Sequence, residues 1–180
     1  MEPSPSLTSP SSTTKCGLER LAPFPVIEHM IHDWFELIHS VCPIFHRGIF
    51  LNRLASGEAS QDGIFAALVI SVCAAVSASL KRKSTNDYSL VTSQRCLDAI
   101  EQIELHTGRF PFSLESCQMK YHLCVALGTE KSLDDVDCFR LLAESVAVVK
   151  YLVHYQMQDM DTASQQLLKR LYWLLFVALW

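Results

Sequence analysis

The sequence predicts an all-α protein, an array of about seven helices, and three observations predict it. Apolar residues recur at helical spacing along most of the chain. One stretch, Gly63 to Leu80, runs through eighteen residues without a charge. No Asn-Gly or Asp-Gly pair stands between two alternating runs, so the hairpin signal of a β fold is missing. With 49% apolar and 19% charged residues in 180, the chain can build one sizeable core, and the composition excludes general disorder.

The elements follow in order. Residues 1–20 read as a disordered Ser/Pro-rich leader, and residues 21–180 as the helical domain. The segment up to Thr14 is mostly Ser, Thr and Pro and lacks the apolar stretch of a secretory signal. Ile27, Met30, Ile31, Trp34, Phe35, Ile38 and Val41 then form one amphipathic stripe, which Pro43 ends. Ile49, Phe50 and Leu54 suit one or two helical turns, and Ser56-Gly57-Glu58 reads as a loop. Gly63–Leu80 predicts a helix that is apolar on all sides, closed by Lys81-Arg82-Lys83. A further helix is expected from about Tyr88 to Leu105, with Leu97, Ile100 and Ile103 inward and a break at Gly108 and Pro111. Cys117, Tyr121, Cys124 and Val125 mark the next helix, ending at Gly128. Ser132-Leu133-Asp134-Asp135 resembles a capping box before a helix carrying Val136, Phe139, Ala143, Val146 and Val153. Thr162-Ala163-Ser164-Gln165 resembles a second box and opens the last helix. The final ten residues, Leu171 to Trp180, are all apolar.

Gly63–Leu80 reaches the lower edge of a membrane span. Its alanines and Ser71, Cys73, Ser77 and Ser79 are weak content for one, and it reads as the buried central helix of the array, with no membrane partner. The seven cysteines (Cys16, Cys42, Cys73, Cys96, Cys117, Cys124 and Cys138) are widely spaced. No Cys-x-x-Cys pair exists to supply half a tetrahedral zinc site, so they read as reduced core thiols.

No constellation of catalysis stands out. His29 and His32 share a helix face, and Glu36 and His39 form a Glu-x-x-His, but no second such motif completes a di-iron site; the four read as a solvated face. His46-Arg47 follows Pro43 and reads as a pair tying the loop to neighbouring carbonyls. Glycine-rich phosphate loops and a Gly-x-Ser-x-Gly elbow are both missing. The expectation is no enzyme, no cofactor and no metal. A net charge of −4 disfavours direct nucleic-acid binding, and Lys81-Arg82-Lys83 reads as a solvated helix end. Trp173, Phe176 and Trp180 recur at i, i+3 and i+7 on the last helix. They read as core, and any part left uncovered is a candidate interaction surface.

Two segments resemble a known family. Trp34 to Leu51 is similar to the opening of the fungal-specific transcription factor domain, the middle homology region of zinc binuclear cluster regulators. Pro43, Ile44, His46, Arg47, Phe50 and Leu51 match its pattern, while Ser40 and Gly48 depart where proline is common. Lys169-Arg170-Leu171-Tyr172-Trp173-Leu174-Leu175-Phe176-Val177 resembles the family's Arg-Arg-x-Phe-Trp-x-Leu-Phe signature. Between them, Phe139 to His154 is similar to the family's Ala-rich segment ending in Leu-His. The resemblance covers about Phe24 to Trp180. The family's six-cysteine, two-zinc DNA-reading cluster has no counterpart here, nor has the C-terminal half of its domain.

The resemblance implies a partial all-α regulatory domain, incomplete at its C-terminus, in the nucleus. It implies transcription regulation of fungal metabolic or secondary-metabolite genes through a protein partner or homodimer, with DNA reached only indirectly. It names no small-molecule effector, no target genes and no sign of regulation. The rival expectations are a small helical adaptor with no gene-regulatory role, and a non-functional fragment.

Overall fold

The structure, a computed structural model, describes residues 18–80, 86–131 and 135–178. Among them are eight α-helices and no strand: α1 (Leu18–Leu21), α2 (Phe24–Asp33), α3 (Arg47–Ala55), α4 (Gly63–Ser79), α5 (Ser93–Thr107), α6 (Leu114–Glu130), α7 (Val136–Tyr155) and α8 (Thr162–Ala178). The all-α reading therefore holds.

α4 is the axis of the fold. Its residues from Phe65 to Ala78 are all buried, as an uncharged helix without a polar face requires. It packs against α2, α5 and α6. Asp62 caps it, the carboxylate accepting from Ile64 N at 3.0 Å and Phe65 N at 3.2 Å. Ser71 donates to Leu68 O at 2.7 Å, and Ser77 donates to Val91 O, so both buried hydroxyls are satisfied. No helix among the described residues is long and apolar enough to cross a membrane.

The N-terminal boundary moves. Leu18–Leu21 is already helical, with Leu18 and Leu21 buried, so the ordered part starts before residue 21. Arg95 explains the capture of so short a helix: its guanidinium donates to Arg20 O and Leu21 O, both at 3.2 Å. The rest of the predicted leader, residues 1–17, lies outside the described residues, as do Cys16 and Lys81-Arg82-Lys83.

α2 carries the predicted stripe, with Ile27, Met30, Ile31, Trp34 and Phe35 buried. It passes at Trp34–Ile38 into a π-helical turn, in which His39 N donates to Trp34 O at 2.9 Å. The wider turn adds one residue to the cycle. The stripe then slips by one position: Val41 is 78% exposed and Cys42 is buried in its stead. That slip corrects the expected inward Val41. The helical turns expected around Ile49, Phe50 and Leu54 form α3, in which Phe50 and Leu54 face the core and Ile49 faces out.

Four further expectations are corrected. The helix expected from Tyr88 starts at Ser93, because Asn86–Leu90 is a 3-10 turn and Thr92 is the cap. α6 runs past Gly128 to Glu130, held by the buried Leu127 beside that glycine. α7 begins at Val136 with Asp135 as its cap, accepting from Asp137 N and Cys138 N; Ser132, Leu133 and Asp134 of the predicted box lie outside the described residues. α8 is capped by Asp161, one residue before the predicted box, which accepts from Ala163 N at 2.9 Å and Ser164 N at 3.0 Å.

The inward face of α7 also differs. The core takes Cys138, Leu141, Leu142, Ser145, Val148, Val149 and Leu152. Of the apolar positions the sequence marked, Val136 and Phe139 are 80% and 66% exposed, while Val146 and Val153 pack half-buried against the core. α7 has two apolar stripes, and the one led by Cys138, Leu141 and Ser145 faces the core, with α6 packed against the helix.

α4 and α5 meet closely at Gly63. A Cβ there would stand 2.9 Å from Thr107 Cγ2 and 3.1 Å from Ile103 Cγ2, both on stiff β-branched side chains. Gly63→Ala is expected to cost about 1–2 kcal/mol in urea unfolding despite alanine's better helix propensity. Adding Thr107→Ser, which removes the clashing methyl, should recover part of that loss. An unchanged or raised midpoint in Gly63→Ala contradicts the close approach.

Candidate functional site

The residues that carry chemistry or recognition gather in two places, a loop in the core and the outer face of α8. The loop is Pro43-Ile44-Phe45, between the π-turn and α3. Its three carbonyls point to three different elements. Arg170 of α8 donates to Pro43 O at 3.1 Å, Gln118 of α6 donates to Ile44 O at 2.5 Å, and His39 Nε2 donates to Phe45 O at 3.1 Å. A chain that leaves a helix loses its regular partners, so side chains must supply them. Proline 43 stops the helix, and the three donors then fix where the chain goes.

An aromatic cluster surrounds this loop. Trp34 meets Phe35 edge-on at 4.9 Å, Phe45 at 5.0 Å and His122 at 5.5 Å between ring centroids. His122 stacks flat on Phe45 at 5.1 Å. Its Nδ1–H donates to Gln118 O at 2.7 Å. Trp34 Nε1 and His122 Nε2 have no hydrogen-bond partner among the described residues. Burial drives the His122 imidazole down from 6.5 to about 4, against the opposing pull of the Gln118 carbonyl, so the ring is neutral at physiological pH.

The predicted polar residues fall into structural roles. His46 caps α3, its Nδ1 accepting from Ile49 N at 3.3 Å. Arg47 pairs with Glu36 at 2.5 Å and sits 5.7 Å from the centre of the Phe35 ring. The expected ties from His46-Arg47 to carbonyls are thus made instead by His39, Gln118 and Arg170. His29 and His32 are exposed, and His29 lies 5.9 Å from the Tyr88 ring. Among the described residues no group of three or more His, Cys, Asp or Glu is placed to hold a metal ion. The six described cysteines are buried and free. Arg53 gathers Glu58, Asp62 and Glu115 around its guanidinium and lies 4.0 Å over the Phe65 ring, joining α3, α4 and α6.

The second place is α8. Leu168, Leu171 and Leu175 are buried, which turns Trp173 and Phe176 outward. They are 63% and 45% exposed, so the core expectation for them fails. Their rings touch edge-to-face at 5.8 Å. Tyr172 and Val177, which the i, i+3, i+7 pattern did not include, extend the patch at 37% and 71% exposure. Lys169 and Arg170 stand exposed beside it. Trp180 lies outside the described residues. The cause is the position of α8 at the edge of the array, packed against α7 and α6.

No protein-family model, no curated protein and no solved structure matches the chain.

The buried His122 makes the core pH-sensitive. Its proton affinity is lower folded than unfolded, so unfolding takes up a proton between pH 6.5 and about 4. The contribution is fully present above pH 6.5 and is lost as pH falls through that window, on the order of 3 kcal/mol in all. His122→Leu, which removes the titration, should lose less stability between pH 7 and pH 4.5 than the unsubstituted chain, measured by urea midpoints. Equal losses contradict the role given to His122.

Proposed function

We propose that this chain is a transcription-regulator-like helical protein, similar to the middle homology region of fungal zinc binuclear cluster regulators. It acts in the nucleus through protein contacts, and it reaches DNA only through what it binds. The contact surface is the outer face of α8 around Trp173 and Phe176, which a protein partner or a second copy covers. The genes concerned are metabolic or secondary-metabolite genes, by the same resemblance.

The observation that supports this reading is the hydrogen bond from Arg170 to Pro43 O. Pro43 belongs to the first segment that resembles the family and Arg170 to the second, 127 residues later. Two segments that are weak signals singly are parts of one tertiary contact. Exposed Trp173 and Phe176 support the role of protein contacts, since clustered aromatics on a surface are the residues that anchor interfaces. The net charge of −4 supports indirect rather than direct contact with DNA.

The test is to fuse the full chain to an unrelated DNA-binding domain and read a reporter gene in a fungal host. A several-fold rise or fall in reporter output is expected. Phe176→Asp should abolish that change and any self-association, while helix content stays the same and stability falls by no more than about 1 kcal/mol, as for a surface position. An inert fusion contradicts the regulatory reading and leaves the same face to a helical adaptor. A Phe176→Asp fusion as active as the unsubstituted one removes α8 from the mechanism.

A further inference from the structure

We infer that Cys124 and Cys138 form an oxidisable dithiol, a site at which a small-molecule disulfide of the glutathione class converts two thiols into one intramolecular disulfide across the α6–α7 hairpin.

The geometry singles out this pair. The two Sγ atoms lie 3.2 Å apart. The placement is reciprocal: the Cys124 thiol reaches Cys138 O at 3.6 Å, and the Cys138 thiol reaches Cys124 O at 3.5 Å. Each side chain therefore already points at the other residue. A disulfide bond of about 2.05 Å needs the sulfurs to close by about 1.2 Å, which rotation about two side chains can supply. The other described cysteines are held elsewhere. Cys117 donates to Ser145 O at 3.3 Å, while Cys42, Cys73 and Cys96 are buried on other elements.

The chemistry balances as a dithiol–disulfide exchange. Cys124 is 7% exposed and Cys138 1%, so Cys124 is the sulfur a reagent meets first. As the thiolate it attacks one sulfur of RSSR. The S–S bond of the reagent breaks, RS⁻ leaves and takes up the proton that Cys124 lost. Cys138 then gives up its proton and attacks the Cys124 sulfur of the mixed disulfide, displacing the second RS⁻ as RSH. The protein loses two hydrogens and two electrons, and one RSSR becomes two RSH. Burial pushes the Cys124 thiol up to about 12, so thiolate is scarce and the exchange is slow beside that of an exposed thiol.

The consequence is a staple. Cys124 lies in the last two turns of α6 and Cys138 in the first turn of α7, 14 residues apart along the chain. The bond would lock the hairpin on which α8 rests. Closing a loop of this length lowers the unfolding equilibrium constant by a factor on the order of 100.

The test treats the reduced, folded full chain with an excess of oxidised glutathione, then blocks free thiols and digests with trypsin. Cleavage after Lys120, Lys131 and Arg140 puts Cys124 in peptide 121–131 and Cys138 in peptide 132–140. The expected product is these two peptides joined by a disulfide, with Cys42, Cys73, Cys96 and Cys117 recovered as blocked thiols. The joined peptides should weigh two hydrogens less than their sum and carry no glutathione, and the urea midpoint should rise and return with dithiothreitol. A parallel reaction on the urea-unfolded chain should scatter the links over all cysteines. The inference is overturned if the folded chain does not react. It is overturned equally if Cys124 stops as a stable glutathione adduct, or if the folded chain gives the scattered pattern of the unfolded one. Cys138→Ser provides the second check: it should trap the glutathione adduct on Cys124, and its failure to do so contradicts the order of attack.

Discussion

The structure depends on one constraint, a seventeen-residue helix with no polar face. α4 cannot present any side to water without exposing apolar surface, so other helices must enclose it. Ala66, Ala67, Ala74, Ala75 and Ala78 keep it thin, and Gly63 lets α5 approach its start. α2, α5 and α6 lie against it. α7 packs on α6, and α8 on α7 and α6, so burial falls outward from the axis. By α8 the array has one covered side left to offer. Leu168, Leu171 and Leu175 take it, and Trp173 and Phe176 are left on the other. The exposed aromatic face is thus a consequence of the order in which helices stack around α4.

The second dependence is polar. A helix that stops inside a core releases carbonyls that must be satisfied there. Pro43, Ile44 and Phe45 present three in a row, and His39, Gln118 and Arg170 take them. Hydrogen bonds of this kind contribute about 1 kcal/mol each, and losing the buried one from Gln118 would leave the Ile44 carbonyl unpaired at greater cost. They also act as a register: α6 and α8 are each referred to the same loop. The aromatic cluster of Trp34, Phe45 and His122 fills the space behind it with rings whose packing depends on that register.

The helices were legible where apolar spacing was unambiguous. Gly63–Leu80 sat between a short membrane span and a buried axis, and its alanines and serines pointed to the axis. The misses have separate causes. Val41 turned outward because a π-turn adds a residue that no periodic pattern foresees. α7 showed the wrong face because Val136, Phe139 and Ala143 repeat as regularly as Cys138, Leu141 and Ser145; only packing against α6 chooses between them. Trp173 and Phe176 looked like core because apolar spacing says which residues share a face, and it does not say how many faces are covered. The loop contacts of Gln118 and Arg170 were invisible, since each joins residues more than seventy positions apart. Pro43 did mark the place where such contacts are needed.

Native-state hydrogen exchange of the full chain, resolved to short peptides, measures directly whether α4 is the enclosed axis. The amides of Phe65 to Ala78 should be the slowest in the molecule and exchange only with global unfolding, while those of α8 exchange earlier through local opening. Exchange in α4 as fast as in α8 would contradict the arrangement and, with it, the origin of the exposed face.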